Sequence, residues 1–364
     1  MLLVGFSLFC FLVLEFFFGV KKWCPRALEA DLKESRALKM SSFKVRIVRF
    51  PKCGKHPNAD TLCIVHILGY QVVMKTGLFR EGDWCVYVPA DALVPLDHPT
   101  FQFLKTPDSS KTHSRIRPRK LRGIFSIGFI IPLPPGTGVS PPEEEEVTKA
   151  LGITLWEPTE TYALDGRQAS PPDLFCPIYQ IEPLWNSPDA IKEGEMVWIT
   201  EKIHGCNTRF CVDHSGNFHV GSHNCFWLDS EANVWWKTSR AYPELEQACR
   251  ENPGWTIYGE TYGVQDLKYG LKNGQTAFAA FAVFAGSAWL SPDALSDFCQ
   301  RYKIPTVPHL YTGPFNLQST KDLIKLSVLS DHMMEGVVIV SERGAPLKLH
   351  GEEYLLRKNG TEAK

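Results

Sequence analysis

The sequence predicts an α+β chain in two domains, an N-terminal β-barrel followed by a mixed domain that carries the chemistry. Three observations predict it. Short β-branched and aromatic runs parted by turn signals fill residues 43 to about 158, the spacing of a small barrel. A polar stretch from Thr161 closes on Pro171-Pro172 and reads as a linker. Beyond it, acidic and basic residues stand beside apolar strand-like runs, as though several strands delivered them to one cleft. The resulting division is 1–39 as an apolar extension, 40–160 as the barrel, 161–172 as the linker and 173–364 as the mixed domain.

Within the first domain, Phe43 to Val48 approximates a strand, and His56-Pro57-Asn58-Ala59-Asp60 is turn chemistry. Leu62 to Ile67 and Tyr70 to Met74 are two strands parted by Leu68-Gly69. Gly82-Asp83 turns the chain into a further strand from Trp84 to Pro89. Pro132 to Gly138 and Pro141 to Glu146 read as a flexible acidic surface loop rather than a site. Lys111, Arg115, Arg117, Arg119, Lys120 and Arg122 form the dense basic run of the chain, and Arg122 to Ser126 returns to strand-like sequence. Such a run on a barrel can hold a phosphate backbone without sequence preference, or it can be a solvated loop. Arg115, Arg117, Arg119 and Lys120 are the candidates for nucleic-acid contact. No internal repeat is evident.

Composition sets limits. The formal charge is −1 at pH 7 and 44% of residues are hydrophobic. That is enough for ordinary globular cores, and too balanced for nucleic-acid binding through net charge; a local patch has to supply it. Eleven cysteines are scattered without a Cys-x-x-Cys pair, which suits free thiols in a reducing compartment better than a disulfide framework or a structural zinc site. Leu2 to Val20 is apolar apart from Ser7, Glu15 and the glycines, and Lys21, Lys22 and Arg26 follow. Its length just reaches that of a transmembrane helix, with a basic flank that would keep the rest cytosolic. A signal peptide fits less well, because no basic segment precedes the apolar one. Met40-Ser41-Ser42-Phe43 opens directly into the first domain strand, so residues 1–39 read first as a dispensable upstream extension and second as an anchor. The expected location is intracellular, in cytoplasm or nucleus, with a membrane as partner only if residues 2–20 are a real anchor.

Glu201-Lys202-Ile203-His204-Gly205-Cys206-Asn207 is the most informative stretch, directly after the strand-like Met196 to Ile199. A lysine at a strand-to-loop transition with a glycine three residues on suits a covalent nucleophile. The glycine removes the Cβ that would block a nucleotide's close approach. The amine can form a phosphoramide with an α-phosphate where a cationic or metal-rich pocket lowers its pKa. Taken alone, the four letters Lys-x-x-Gly occur in many proteins, usually as a surface lysine near a turn. An ordered series of downstream segments gives them weight: Tyr258-Gly259-Glu260, Phe281-Ala282-Val283-Phe284, Glu335 to Ile339, and Lys348 within Pro346 to Leu349. Each has an ordinary alternative. Phe281 and Phe284 could be core aromatics, Glu260 and Glu335 strand-end carboxylates on the surface, Lys348 an edge-strand charge and His204 a structural histidine.

This ordered set resembles the motifs of the covalent nucleotidyltransferases, which are the ATP-dependent DNA and RNA ligases and the mRNA-capping guanylyltransferases. Lys-Ile-His-Gly is similar to nick-sealing RNA ligases of the second type and RNA-editing ligases, whose Glu-Lys-Ile-His-Gly-Thr-Asn is close to residues 201–207. DNA ligases and capping enzymes usually carry Asp in place of the histidine. In the first domain, His-Pro-Asn-Ala-Asp-x-Leu, Gly-Tyr-x-Val-Val and Gly-Asp-x-x-Val-Tyr-Val-Pro resemble the OB domain of an RNA ligase family in which that domain precedes the ligase domain.

The resemblance implies an OB-type β-barrel before an antiparallel α+β nucleotidyltransferase core, an ATP-grasp-like ligase domain. It implies an enzyme that joins RNA 3′-hydroxyl and 5′-phosphate ends through lysyl-AMP on Lys202, using ATP and Mg²⁺, with Mn²⁺ as a substitute. Lys348 would answer the charge on the α-phosphate, Glu260 would contact the ribose, and Glu335 would place a metal-bound water near Lys202. Both carboxylates are the candidate metal anchors. Phe281 would stack on the adenine, Glu201 would offer backbone contacts at its edge, and Gly205 would leave room. Asn207 and Arg209 match positions that touch RNA ends or phosphates. His223 falls where the resembling ligases usually have an arginine, His350 where some have a second lysine, and Ala285 replaces a common Asp. RNA ends, or a nicked duplex with an RNA 3′-hydroxyl, are the expected partner, and no stable protein partner is implied. Two other readings stay open: a covalent nucleotidyltransferase acting on a DNA nick or with GTP, and a ligase-derived nucleic-acid-binding protein with dulled catalysis. Retention of Lys202, Glu260, Glu335 and Lys348 together argues against the last.

Overall fold

The computed structural model describes residues 43–105, 110–134, 142–156, 167–342, 345–359 and 362–363. The extension expected at 1–39 and residues 161–166 of the expected linker lie outside the described residues, while Gln168 and Ala169, placed in that linker by the sequence, form a strand paired with Trp227 and Phe226. Among the described residues no helix is long and apolar enough to cross a membrane.

The first domain contributes β1 (Arg46–Arg49), β2 (Gly54–Lys55), β3 (Leu62–Ile67), β4 (Tyr70–Lys75), β5 (Trp84–Val88), β6 (Ala92–Pro95), β7 (His113–Arg115), β8 (Arg119–Leu121), β9 (Ile124–Ser126), β10 (Phe129–Pro132), α1 (Glu144–Ala150) and β11 (Thr154–Leu155). They pair as short antiparallel sheets, β1-β5-β10, β2-β3-β4 and β7-β6-β11, with β8 and β9 as a separate pair. Among the described residues no single ladder closes them into a continuous barrel. The end of β9 seals against β4, where Ile127 N donates to Gln71 O at 3.0 Å and Val73 N donates to Ser126 Oγ at 2.9 Å. The β3–β4 turn has positive φ at both central residues, Leu68 at 51° and Gly69 at 79°, the two-residue geometry that matches strand twist. β1 begins at Arg46 rather than Phe43; Phe43 and Val45 instead pack into the core with Val147 of α1.

Two expectations need correction. The acidic run from Glu143 is the start of α1 and not a loop: Val147 and Thr148 are buried, Glu144 reaches Lys44 at 2.8 Å and Arg46 at 3.2 Å, and Val45 N donates to Thr148 Oγ1 at 3.0 Å. Three glutamates in its first turn suit the positive end of a helix. The cysteines are not all free thiols. Cys53 and Cys63 are joined as a disulfide, with Cα atoms 6.0 Å apart, while the other described cysteines are free. The pairing of β2 on β3 sets Lys55 opposite Cys63, which brings two cysteines with no recognisable spacing to bonding range.

The second domain holds β12 (Gln168–Ala169), β13 (Glu182–Pro183), β14 (Met196–Lys202), β15 (Gly205–Val212), β16 (Phe218–Gly221), β17 (Phe226–Trp227), α2 (Val234–Ala241), α3 (Pro243–Glu251), β18 (Thr256–Tyr262), β19 (Ala277–Phe284), α4 (Pro292–Tyr302), β20 (His309–Pro314), α5 (Leu317–Leu323), β21 (Gly336–Ser341), β22 (Leu347–His350), α6 (Glu352–Asn359) and β23 (Glu362–Ala363). One sheet runs β12-β17-β16-β15-β18-β19 and another β13-β22-β21-β14-β20. Pairing is antiparallel except β13 with β22, and β23, which returns to lie parallel to β8 of the first domain. Along β15 the side chains alternate. Phe210 and Val212 meet Trp235 of α2, Leu245 and Ala248 of α3 and Phe298 of α4 in one core, which leaves Asn207 and Arg209 to the opposite face. The five-stranded sheet packs Val197, Ile199, Val337 and Ile339 with Trp185, and Tyr70, Ala90 and Ile127 of the first domain complete the same core.

Candidate active site

Lys202 is the last residue of β14, and the ladder with β21 sets it opposite Gly336, so that Glu335 lies beside it. Lys202 Nζ is 3.0 Å from Glu335 Oε1, with both side chains largely buried. Burial pulls the Lys202 ammonium down, but the Glu335 and Glu260 carboxylates outweigh it and leave the lysine above its ordinary value. The cationic pocket expected to lower it is therefore, among the protein's own groups, an anionic one. Burial by itself would raise Glu335; Lys202 and hydrogen bonds from His204 and His350 hold it well below the usual carboxylate range. Burial pushes Glu260 up to about 8, with Lys202 opposing and Glu335 adding to the rise.

Both oxygens of Glu335 have partners. Oε1 also lies 3.4 Å from His350 Nε2, and Oε2 is 2.8 Å from His204 Nδ1. The other ring nitrogen of His204 faces Asp266 Oδ1 at 2.7 Å, and Tyr354 OH is 3.1 Å from Nδ1. Glu201 is also fully engaged: its carboxylate accepts from Ser327 Oγ at 2.6 Å and Val328 N at 2.8 Å, and its backbone N–H donates to Pro308 O at 2.9 Å. The expected contact of Glu201 with an adenine edge thus cannot use its N–H, which is already committed to the sheet.

Gly205 answers a further demand that the sequence did not suggest: a Cβ there would run into Thr261 O and Glu260 Cγ, so the glycine admits the close approach of β18. Glu260 projects from the interior of β18, opposite Asn207 on β15, rather than from a strand end. Arg209, two residues further on the same face, is buried; its guanidinium lies 4.3 Å above the Phe226 ring, Nη1 donates to Cys176 O at 3.4 Å, and Nε has no hydrogen-bond partner among the described residues. His223 is held below its ordinary value by burial and by the charges of Arg209 and Lys348, which places these three in one electrostatic neighbourhood. Lys348 is on β22 opposite Val338. Phe281 is half-buried in β19, its ring 4.9 Å from Tyr179 in a cluster with Tyr258 and Phe284.

The basic run divides. Arg115 is already engaged: its Nε and Nη2 donate to Asp91 Oδ1 at 2.9 and 2.6 Å and its guanidinium lies 3.3 Å from the Trp156 ring centre. Arg117, Arg119 and Arg122 are exposed and Lys120 is half-buried. Sequence reasoning missed Asp266, Tyr269 and Tyr354, which surround His204. No local pattern marks them, since Asp266 sits in a polar turn after β18 and Tyr354 in a helix more than a hundred residues away.

Residues 195–350 match the family model for RNA ligase, and residues 44–133 match a model for an OB-fold domain. The fold matches Naegleria gruberi RNA ligase with PPi at a TM-score of 0.71 and 20% identity, covering 87% of this chain and 99% of that one. It matches an apo aspartate-to-alanine variant of the same ligase at 0.72 and 21%, over 88% and 100% of the chains. A lysine-to-alanine variant with ATP and Mn gives 0.71 and 20%, over 87% and 99%. Among curated proteins, none matches the sequence.

Proposed function

We infer, from a chain with an RNA ligase domain over residues 195–350 behind an OB-fold domain over residues 44–133, that this protein is an ATP-dependent RNA ligase. The observation that carries the reading is the 3.0 Å pair of Lys202 and Glu335 beside Glu260, all within the ligase match. Solved Naegleria gruberi ligases hold ATP with Mn, AMP with Mn, or PPi, and we carry that ligand set over to this chain.

Lys202 is the nucleophile toward the α-phosphate of ATP: its ammonium, held above its ordinary value by Glu335 and Glu260, gives up a proton to solvent, the freed amine forms the N–P bond of lysyl-AMP, and pyrophosphate leaves. Glu335 aims the amine, while Lys348 and Arg209 supply positive charge near the phosphates. A divalent cation, when bound, neutralises phosphate charge. Glu260 fits it better than Glu335 does. Glu260 is a hard oxygen donor that the protein leaves short of positive charge, whereas both oxygens of Glu335 are engaged. Mg²⁺ keeps much of its water and would need one or two carboxylates as anchors. Transfer of AMP to an RNA 5′-phosphate and its displacement by a 3′-hydroxyl complete the join. In this reading Asn207, Arg209 and His223 meet the RNA ends. A nicked duplex with an RNA 3′-hydroxyl is the substrate we propose, with Arg117, Arg119 and Lys120 against its backbone.

Labelling tests this directly. The chain incubated with α-labelled ATP should carry AMP through a denaturing gel, and Lys202→Ala or Lys202→Arg should lose at least about 10³-fold of it, the scale on which removing a nucleophile acts. Label in Lys202→Ala would assign another nucleophile, label from GTP alone would favour capping chemistry, and no label in the wild-type chain would leave a binding protein descended from a ligase.

A further inference from the structure

The Lys-Ile-His-Gly stretch is gripped by one loop, the turn between β18 and β19. Tyr269 OH accepts from His204 N at 2.6 Å, Asp266 Oδ1 faces His204 Nε2 at 2.7 Å, and Gln265 Nε2 donates to Gly205 O. On its far side the same imidazole meets Glu335 Oε2 at 2.8 Å, and Glu335 Oε1 meets Lys202. An unbroken chain of polar contacts thus runs from Asp266, whose side chain is 63% exposed, through a ring that is 7% exposed, to the buried nucleophile pair.

We propose that Asp266 is a positioning residue for the nucleophile: it fixes the rotation of the His204 ring, the ring fixes the Glu335 carboxylate, and the carboxylate aims Lys202. This deepens the ligase reading and rests on Lys202 being the nucleophile. Imidazole and carboxylate end in soft torsions with broad minima, so each needs a partner on both sides to hold one orientation. His204 has Glu335 and Tyr354 at Nδ1 and, among the described residues, Asp266 as its hydrogen-bond partner at Nε2. An amine that must meet phosphorus in line is sensitive to misplacement of about 1 Å, which can cost about 10²-fold in rate. Asp266 has one other charged neighbour, Arg357 Nη2 at 3.7 Å from Oδ2, an exposed pair of the kind that contributes little. That separates its two possible roles cleanly.

The test is single-turnover self-adenylylation of the full chain. Asp266→Ala should lower the rate at saturating ATP by about 10- to 100-fold, the scale of losing an outer hydrogen-bond partner. The ATP concentration for half-maximal rate and the melting temperature should stay near wild type, since a position this exposed is not part of the core. Asp266→Asn keeps an acceptor oxygen and should recover most of the rate, and Arg357→Ala should leave it unchanged. In the cycle with His204→Ala, the double variant should be no slower than His204→Ala alone, because the two residues act on one chain. A wild-type rate in Asp266→Ala, losses that multiply in the double variant, or a defect confined to the half-saturating ATP concentration would each overturn the proposal. Absence of label on Lys202 in the wild-type chain would overturn the ligase reading itself, a different outcome from labelled enzyme that ignores Asp266.

Discussion

The cleft around Lys202 and the basic run of the first domain both stand out as charge in the sequence, and the fold treats them in opposite ways. In the cleft, Lys202, His204 and Glu335 find partners within about 3 Å that come from distant parts of the chain. Within the basic run Arg115 is bound in this manner, while Arg117, Arg119 and Arg122 stand open to solvent. The difference shows that density of charge along a chain says little about its use. What matters is how many neighbours each charge has already been given: the engaged ones are fixed by the fold, and the open ones are those we propose for an outside partner.

Removing a central partner from the cleft is the harshest way to break that contrast. Glu335→Ala strips the carboxylate from Lys202, His204 and His350, and should destabilise the protein by about 3–5 kcal/mol, the cost of leaving a buried charge unpaired. Urea unfolding measures it; a loss below about 1 kcal/mol would mean the cleft tolerates loose charge as a surface does.

The two halves of the basic run sharpen the contrast further. Arg115→Ala should cost about 1–3 kcal/mol by removing its charge-assisted hydrogen bonds and its stacking on Trp156, with the salt dependence of RNA binding unchanged. Arg117→Ala, Arg119→Ala and Lys120→Ala together should do the reverse. Stability should hold, self-adenylylation should persist, and the log–log salt slope for a nicked duplex should flatten by up to about 0.9 for each phosphate no longer neutralised. Equal slopes for the triple variant and wild type would reduce these open cations to a solvated surface.

The last contrast is read in pH rather than in charge removed, and concerns Glu260, which burial and Glu335 keep short of balancing positive charge. Folded Glu260 keeps its proton up to about pH 8, against an ordinary value of 4.5. Between those values the folded state binds more protons than the unfolded one, so stability falls as pH rises through the window. Glu260→Gln should flatten that fall in melting temperature measured from about pH 5 to 8. Parallel curves for the two proteins would mean that Glu260 is already ionised in the fold.

Much of this was legible in the sequence, for reasons that are local. Leu68-Gly69 announced a hairpin, β-branched and aromatic runs announced β14, β19 and β21, and the ordered motifs singled out Lys202, Glu260 and Glu335, which the fold brings together. What could not be read was set by pairing between distant segments. Gly205 answers to the approach of β18, a demand visible only once Glu260 and Thr261 lie beside it. Asp266 carries no motif, because its importance comes from a histidine sixty-two residues earlier. Cys53 and Cys63 were hidden by a register, and the glutamates from Glu144 by the absence of an apolar stripe strong enough to declare a seven-residue helix.

Tyr70, Ala90 and Ile127 belong to the first domain, yet they finish the core of the sheet that carries Lys202. The front half is therefore no accessory clipped to a finished catalyst, since the catalytic sheet is left with a bare apolar flank without it. Any replacement for the front half would have to supply three buried side chains to that core at the same moment.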